Sequence, residues 1–294
     1  MYAKGESLKR KRSKSQSAME YLMTYGWSIL IVAVVLGALS FLGVFNPLTF
    51  APKASAGGCQ VIRNTGLGVS NLEGACNNQV PQYVAQFDEK YNYVDLPYKQ
   101  LSTMTTYTIV MWIQETTLSA GIYTYDINGE KLEFTPSGQI ISYIYNGTSD
   151  SKAFSTTVVA GGQWYMVAQT VRYSSSTVTT SHSIWMNGQN QSTETFHGSV
   201  VTGATGSSIG SIWKQYSYFD GKIANVQIYN TSLTNSSIEI LYQEGIGGVP
   251  IDLNNLVAWY PLNGNANDYS GNKYNGNLNN VTFTSDWYNR YTQP

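Results

Sequence analysis

Between Gln16 and Phe45 the chain carries one charge, Glu20, and from Ile29 to Val44 it is apolar apart from Ser40 and small glycines. As a helix, such a run is apolar on every side, so it must be buried against lipid or against other helices. The segment before it is basic, with Lys4, Lys9, Arg10, Lys11, Arg12 and Lys14 against the single acid Glu6. Basic residues ahead of an apolar helix mark the cytoplasmic side. The whole chain holds 17 Lys and Arg and 18 Asp and Glu, so the remainder has 11 basic residues against 17 acids. That acidic remainder argues against a nucleic-acid partner.

The residues leave three fates open for this helix. A secretory signal would be cut after a small-x-small triplet, and Ala54-Ser55-Ala56 fits; its apolar core would be unusually long, with Pro47 and Pro52 before the cut. A permanent membrane helix over Tyr21–Phe45 has the length to cross, with Tyr25 and Trp27 near the inner interface and Phe45 near the outer. The third fate rests on Glu20, because a carboxylate is expensive at membrane depth. The stretch KSQSAMEYLMTYGW resembles the class III signal of archaeal type IV pilins. That resemblance implies a prepilin peptidase cutting between Ser15 and Gln16, with Ser15 where the family usually has glycine. It also places Glu20 fifth in the mature chain, for processing or assembly. Self-assembly would run through the retained helix, whose Gly26, Ala33, Gly37 and Gly43 permit close approach. Helix and β-domain would together make a surface or filament protein that meets the membrane during export.

Behind the helix the chemistry changes. Only 12% of residues are charged, while Tyr numbers 23 and Gly 27; ample apolar surface remains for a core, which suits an extracellular β-protein. The organisation expected is a basic leader over 1–15, a hydrophobic helix over 16–45, a linker and disulfide-closed segment over 46–82, and a β-domain over 83–294. Asn46-Pro47 stops the helix. Cys59 and Cys76 are expected to pair outside the cell, contributing on the order of 3 kcal/mol by loop entropy; two buried free thiols are the alternative. With two histidines and no CxxC, a transition-metal site is not expected.

Short runs rich in β-branched and aromatic residues follow, such as Tyr107–Ile113, Gln139–Tyr145, Trp164–Val171 and His182–Met186. Asn128-Gly129, Asn146-Gly147 and Asn187-Gly188 punctuate them as hairpin turns. One helix is expected over Thr234–Gln243, packing through Ile238, Leu241 and Tyr242. The fold expected is an all-β jelly-roll sandwich preceded by a single long hydrophobic helix.

The order VAQFDEKYNYVDLP (84–97), YTIVMWIQ (107–114), GGQWYMVAQTV (161–171), SIWMNGQ (183–189) and the run 209–245 resembles the laminin-G-like, concanavalin-A-like jelly rolls. The aromatic strand and Asp-Ser-Gly-Asn turn with which that family opens are missing before Tyr83. Their counterpart stands at 255–283, NLVAWYPLNGNANDYSGNKYNGNLNNVTF. A permuted jelly roll, with these strands filling the empty slot, is the expected reading. A truncated second repeat and donation of the strand to a neighbouring subunit are the alternatives.

No catalytic set emerges. Glu130 and Glu133 fall on opposite faces of a strand and are expected to be solvated, and His182 and His197 are expected to be structural. The resemblance suggests a structural Ca²⁺ at the loop holding Asn263, Asn265, Asn267, Asp268 and Ser270, against a self-capping Asx turn. Trp213, Tyr216, Tyr218 and Phe219 crowd one loop and could stack on a glycan, or serve the core. Asn146, Asn190, Asn230, Asn235 and Asn280 head Asn-x-Ser/Thr sequons, acceptors for glycosylation on an exported protein. The function expected is a structural subunit of a pilus-like surface filament, not an enzyme, carrying a jelly roll for adhesion or glycan recognition. A membrane-anchored lectin-like monomer and a secreted carbohydrate-active enzyme are the alternatives.

Overall fold

The strand Glu130–Phe134 shows how this chain builds its layers: Glu130, Leu132 and Phe134 are buried while Lys131 and Glu133 stay half-exposed. That period of two is what a sheet with one covered face requires. The computed structural model describes residues 12–41, 60–63, 70–73, 81–97, 103–116, 118, 122–127, 130–201, 206–212, 214, 217–288, 291 and 294. It divides into two units, residues 1–52 and 53–294.

The first unit holds helix α1 (Arg12–Phe41). Its backbone takes in Ser15, Gln16 and Glu20, whose side chains lie outside the description. Taken by itself the helix exposes Trp27 (66%), Ile29 (67%) and Val34 (62%). Among the described residues, no helix is long and apolar enough to cross a membrane. The expected membrane span over 16–45 is therefore not supported: α1 ends at Phe41, and residues 42–45 lie outside the description.

The second unit begins with a small hairpin of β1 (Gln60–Arg63) and β2 (Ser70–Glu73), paired antiparallel. Cys59 and Cys76, the expected disulfide, lie outside the described residues. Then come β3 (Val84–Asp88), β4 (Tyr93–Leu96), β5 (Tyr107–Glu115), β6 (Ile122–Ile127), β7 (Glu130–Phe134), β8 (Ile140–Tyr145), β9 (Asp150–Phe154), β10 (Trp164–Ser174), β11 (Thr179–Met186), β12 (Gln189–His197), β13 (Ser207–Ile209) and β14 (Asp220–Tyr229). Helix α2 (Asn235–Gln243) and strands β15 (Leu256–Tyr260), β16 (Asn277–Asn279) and β17 (Thr282–Thr284) complete it. At the β11–β12 hairpin Asn187 and Gly188 both take positive φ, as a two-residue turn between twisted strands needs.

Two antiparallel sheets form an all-β jelly-roll sandwich. One runs β12-β11-β10-β5-β14-β3-β17, with β15 also paired to β14; the other runs β16-β4-β13-β6-β7-β8-β9. Strand β14 pairs with β5 along one side; along the other, Asp220–Ile223 pairs with β3 and Val226–Tyr229 with β15. Strands β16 and β17 then join β4 and β3. The interior between the sheets is filled by Phe87, Met111, Leu132, Val167, Phe219 and Ile223 among others. Gly210 is required there: at φ +88° it favours glycine, and a Cβ would lie 2.3 Å from the Phe87 ring.

The outer face of the sheet holding β14 is covered as well. Trp112, Trp164, Trp185, Trp259 and Trp287 pack there with Ile238 and Leu241 of α2. Thr234 caps α2, its hydroxyl accepting from the Ser237 N–H at 3.2 Å. The indole N–H of Trp287 donates to the Pro81 carbonyl at 3.1 Å, and the Tyr83 N–H to Asn263 Oδ1 at 2.8 Å, which ties the two ends of the sandwich together.

Candidate functional site

The first sheet is packed on its outer face over β5, β10, β14 and β15, with β12 left largely exposed; the second sheet presents an outer face of its own. Register makes one continuous row across its outer face. Asn277, Asp95, Ser208, Asp126, Lys131, Tyr143 and Lys152 are successive cross-strand neighbours. At about 4.8 Å per strand the row is on the order of 30 Å long. Its middle is roofed, since Ser208 and Asp126 are each only 1% exposed. The Ser208 hydroxyl donates to the Ser211 carbonyl at 2.9 Å, and Lys214 forms an ion pair with Asp95 at 2.5 Å. Ser211 and Lys214, between β13 and β14, thus lie over this part of the sheet.

Beyond the roof the face opens at β7, β8 and β9. Tyr143 lies beside two ammonium groups, Lys131 at 5.6 Å and Lys152 at 5.0 Å from its ring centre. Register places Tyr145 opposite Asp150 and Ile141 opposite Phe154 on this same face. Tyr145 (41%) and Phe154 (44%) are exposed. The corner therefore combines two open aromatic rings with two lysines held in place by a third ring. Flat rings offer stacking area and the lysines offer charged donors, an arrangement suited to a polar ligand with apolar ring faces.

The residues singled out in the sequence fall elsewhere. Trp213 and Tyr216 lie outside the described residues. Tyr218 is 8% exposed and packs on Tyr91 with ring centres 5.1 Å apart. Phe219 is fully buried between Phe87 and Phe134, so it serves the core and no ligand can stack on it. The aromatic corner was missed because its members come from two strands that look unremarkable alone; the alternation of Ile141, Tyr143 and Tyr145 was the available signal.

In the Asn-rich loop four of the five residues expected at Ca²⁺, Asn263, Asn265, Asp268 and Ser270, already hold side-chain hydrogen bonds. Asp268 Oδ1 accepts from the Trp259 and Ser270 N–H groups at 2.9 and 2.8 Å. Its Oδ2 accepts from the Ser270 hydroxyl and the Tyr274 N–H, both at 2.9 Å. Four donors fill the carboxylate's lone-pair positions. Asn263 Oδ1 accepts from Tyr83 and Asn265 Oδ1 from the Asn267 N–H at 2.9 Å. Asn267 is exposed and Ser270 buried. As arranged, the loop caps itself around Asp268. Among the described residues, no group of three or more His, Cys, Asp and Glu could hold a metal.

Glu130 is a correction: it is not solvated but fully buried among the inward residues of β7. Burial holds its carboxyl well above the usual carboxylate range, with Asp150 and Asp126 adding to the effect against the Tyr145 backbone and Lys131. His182 on β11 is also fully buried, and burial lowers its pKa to about 4. Of the sequon asparagines, Asn190, Asn230, Asn235 and Asn280 are exposed and Asn146 is half-buried.

Comparison with known proteins bears on this fold. The family described as the concanavalin A-like lectin/glucanases superfamily matches residues 88–239. A candidate carbohydrate binding protein from Bacteroides ovatus superposes with a TM-score of 0.55 at 16% identity, covering 74% of this chain and 66% of that one. This chain thus spans just under two thirds of that protein. A heptameric SAP-like pentraxin from Limulus polyphemus gives a TM-score of 0.48 at 12% identity, covering 70% of this chain and 95% of that one. The CBM40 of a Ruminococcus gnavus IT-sialidase, bound to alpha2,3 sialyllactose, gives 0.41 at 16% identity, covering 53% and 96%. No curated protein matches the sequence.

Proposed function

Because the chain belongs to the concanavalin A-like lectin/glucanases superfamily, we propose that its sandwich is a carbohydrate-recognition domain rather than an enzyme, displayed at the cell surface. The observation that carries this reading is the open corner of Tyr145, Phe154, Lys131 and Lys152 around Tyr143. Sugar rings present C–H faces that stack on exposed aromatics, and lysines supply donors to their hydroxyl or carboxylate oxygens. On the outer face of its sheet, beyond the stretch over Ser208 and Asp126, this corner leaves Tyr145 and Phe154 accessible.

Screening the full chain against a glycan array, followed by titration of the best ligand, tests the reading. The Tyr145→Ala/Phe154→Ala double variant is expected to lose roughly tenfold or more in affinity, matching about 1.4 kcal/mol or beyond. Lys131→Ala/Lys152→Ala is expected to weaken acidic glycans more than neutral ones. Unchanged affinity in both variants would remove the corner from consideration.

The finer reading is that the domain is the outward part of a type IV pilin-like subunit. What supports it is α1, which by itself leaves apolar side chains such as Trp27, Ile29 and Val34 exposed and so calls for a partner. Copies of the same helix supply one, with Gly26 and Gly37 allowing close approach: an added Cβ at either meets nothing within 4 Å.

A further inference from the structure

Between the two sheets runs a chain of buried polar groups that the open face does not use. Ser142 of β8 and Gln169 of β10 come from opposite sheets, and both are fully buried. The Gln169 amide Nε2 donates to Ser142 Oγ at 2.6 Å. The Tyr125 hydroxyl donates to Gln169 Oε1 at 2.5 Å. His182 places Nδ1 3.5 Å from the same Ser142 Oγ, and its Nε2 is 2.8 Å from the Ser151 hydroxyl. A nucleophile, a carboxamide, an imidazole and a phenol thus converge where water is excluded, since Tyr125, Ser142, Gln169 and His182 are all 0% exposed.

We propose that Ser142 and Gln169 condense within the folded chain to an ester that staples one sheet to the other. The amide carbon is one C–N bond, about 1.3 Å, beyond a nitrogen already touching Oγ, which brings it within about 4 Å of the hydroxyl. Turning the amide face toward Oγ needs only rotation about its terminal torsion, whose well is broad. In the tautomer whose Nε2–H donates to Ser151, the Nδ1 of His182 carries the lone pair. Burial keeps that ring neutral at physiological pH.

The step balances within the protein. Ser142 Oγ bonds to the Gln169 side-chain carbon while its proton passes to His182 Nδ1. The carbonyl electrons move onto Oε1, where the Tyr125 hydroxyl already points and holds the negative charge. When the carbonyl re-forms, the C–N bond breaks, and His182 returns the proton to Nε2, which leaves as ammonia. One C–O bond forms, one C–N bond breaks, and the imidazole ends as it began. No oxidant, metal or cofactor enters. The site excludes the water that would hydrolyse the ester, and ammonia diffuses away. Tyr125 and Ser142 lie on one sheet and Gln169 and His182 on the other, so reaction follows closure of the sandwich.

Intact mass under denaturing conditions, on the full chain made in a host that adds no glycans, is the test. The wild type is expected to be lighter than its sequence by one ammonia. Peptide mapping is expected to join the segment holding Ser142 to that holding Gln169, with hydroxylamine separating them. Ser142→Ala and Gln169→Ala are expected at full mass, and His182→Ala at full mass or with slowed loss; a purely structural contact leaves every form at full mass. An N-terminal glutamine also loses ammonia on cyclising, so a loss mapping to residue 16 after processing counts against the ester. Full mass in the wild type overturns the proposal whether or not the variants fold. Neither result bears on the glycan-binding reading, which rests on the opposite face of the sheet.

Discussion

Two buried titratable groups give this core opposite pH signs. His182 takes its proton at about 4 when folded, against 6.5 for the ordinary side chain. Between those values the unfolded chain binds a proton that the folded chain refuses, so stability falls as pH drops through that window, by on the order of 3 kcal/mol. Glu130 runs the other way. Its folded pKa is raised well above 4.5, so the unfolded chain releases a proton that the folded chain keeps, and stability falls as pH rises past that value. The Glu130→Gln variant is expected to melt higher than the wild type at pH 7 to 8 and no higher below pH 4, by calorimetry across pH. His182→Asn is expected to flatten the acid limb. A Glu130→Gln protein that melts lower at pH 8 would mean that the carboxylate is ionised and paired. Strand alternation put Glu130 and Glu133 on opposite faces from sequence alone. Which face turned inward was not legible, because that depends on Leu132 and Phe134 meeting the other sheet.

At the scale of elements, the C-terminal strands are woven into the sandwich rather than appended to it. Strand β15 lines β14, while β16 and β17 extend both sheets. Trp259, Tyr260 and Trp287 are buried at 3%, 0% and 0% exposure. Full burial of a large apolar side chain is worth about 1.5–3 kcal/mol, which for three of them rivals the net stability of a domain. A chain ending at Asn254 is expected to lose cooperative unfolding by circular dichroism. The segment 255–294 supplied as a separate chain is expected to restore it, and a truncated chain that melts like the wild type would refute the closing role. Short strands, the Asn187-Gly188 turn and the helix α2 are local matters of residue type, so the sequence shows them. The pairing of β15 with β14 joins residues some thirty positions apart, and β17 with β3 nearly two hundred; no local propensity encodes such contacts. The Asn263–Ser270 loop shows the same limit. Its wealth of oxygens is plain in the sequence, but only folding showed that Asp268 already has four donors.

For the whole molecule, the exposed apolar side chains of α1 call for a partner. The pilin-like reading predicts that protein from its native surface begins at Gln16 and sediments as filaments, and that Glu20→Ala disperses them. Peptide sequencing and sedimentation check this; a start at Met1 with a dispersed protein would leave the helix without the proposed partner. By itself the sequence determined the all-β class, the hairpin turns and the helix α2, because each is set by the chemistry of neighbouring residues. The tertiary structure alone decided which sheet face stays open, that Phe219 belongs to the core, that Glu130 is buried, and that Ser142, Gln169, His182 and Tyr125 meet. Those outcomes depend on strand order and register across two sheets, where residues far apart in sequence become neighbours and a single face of each strand is left for solvent.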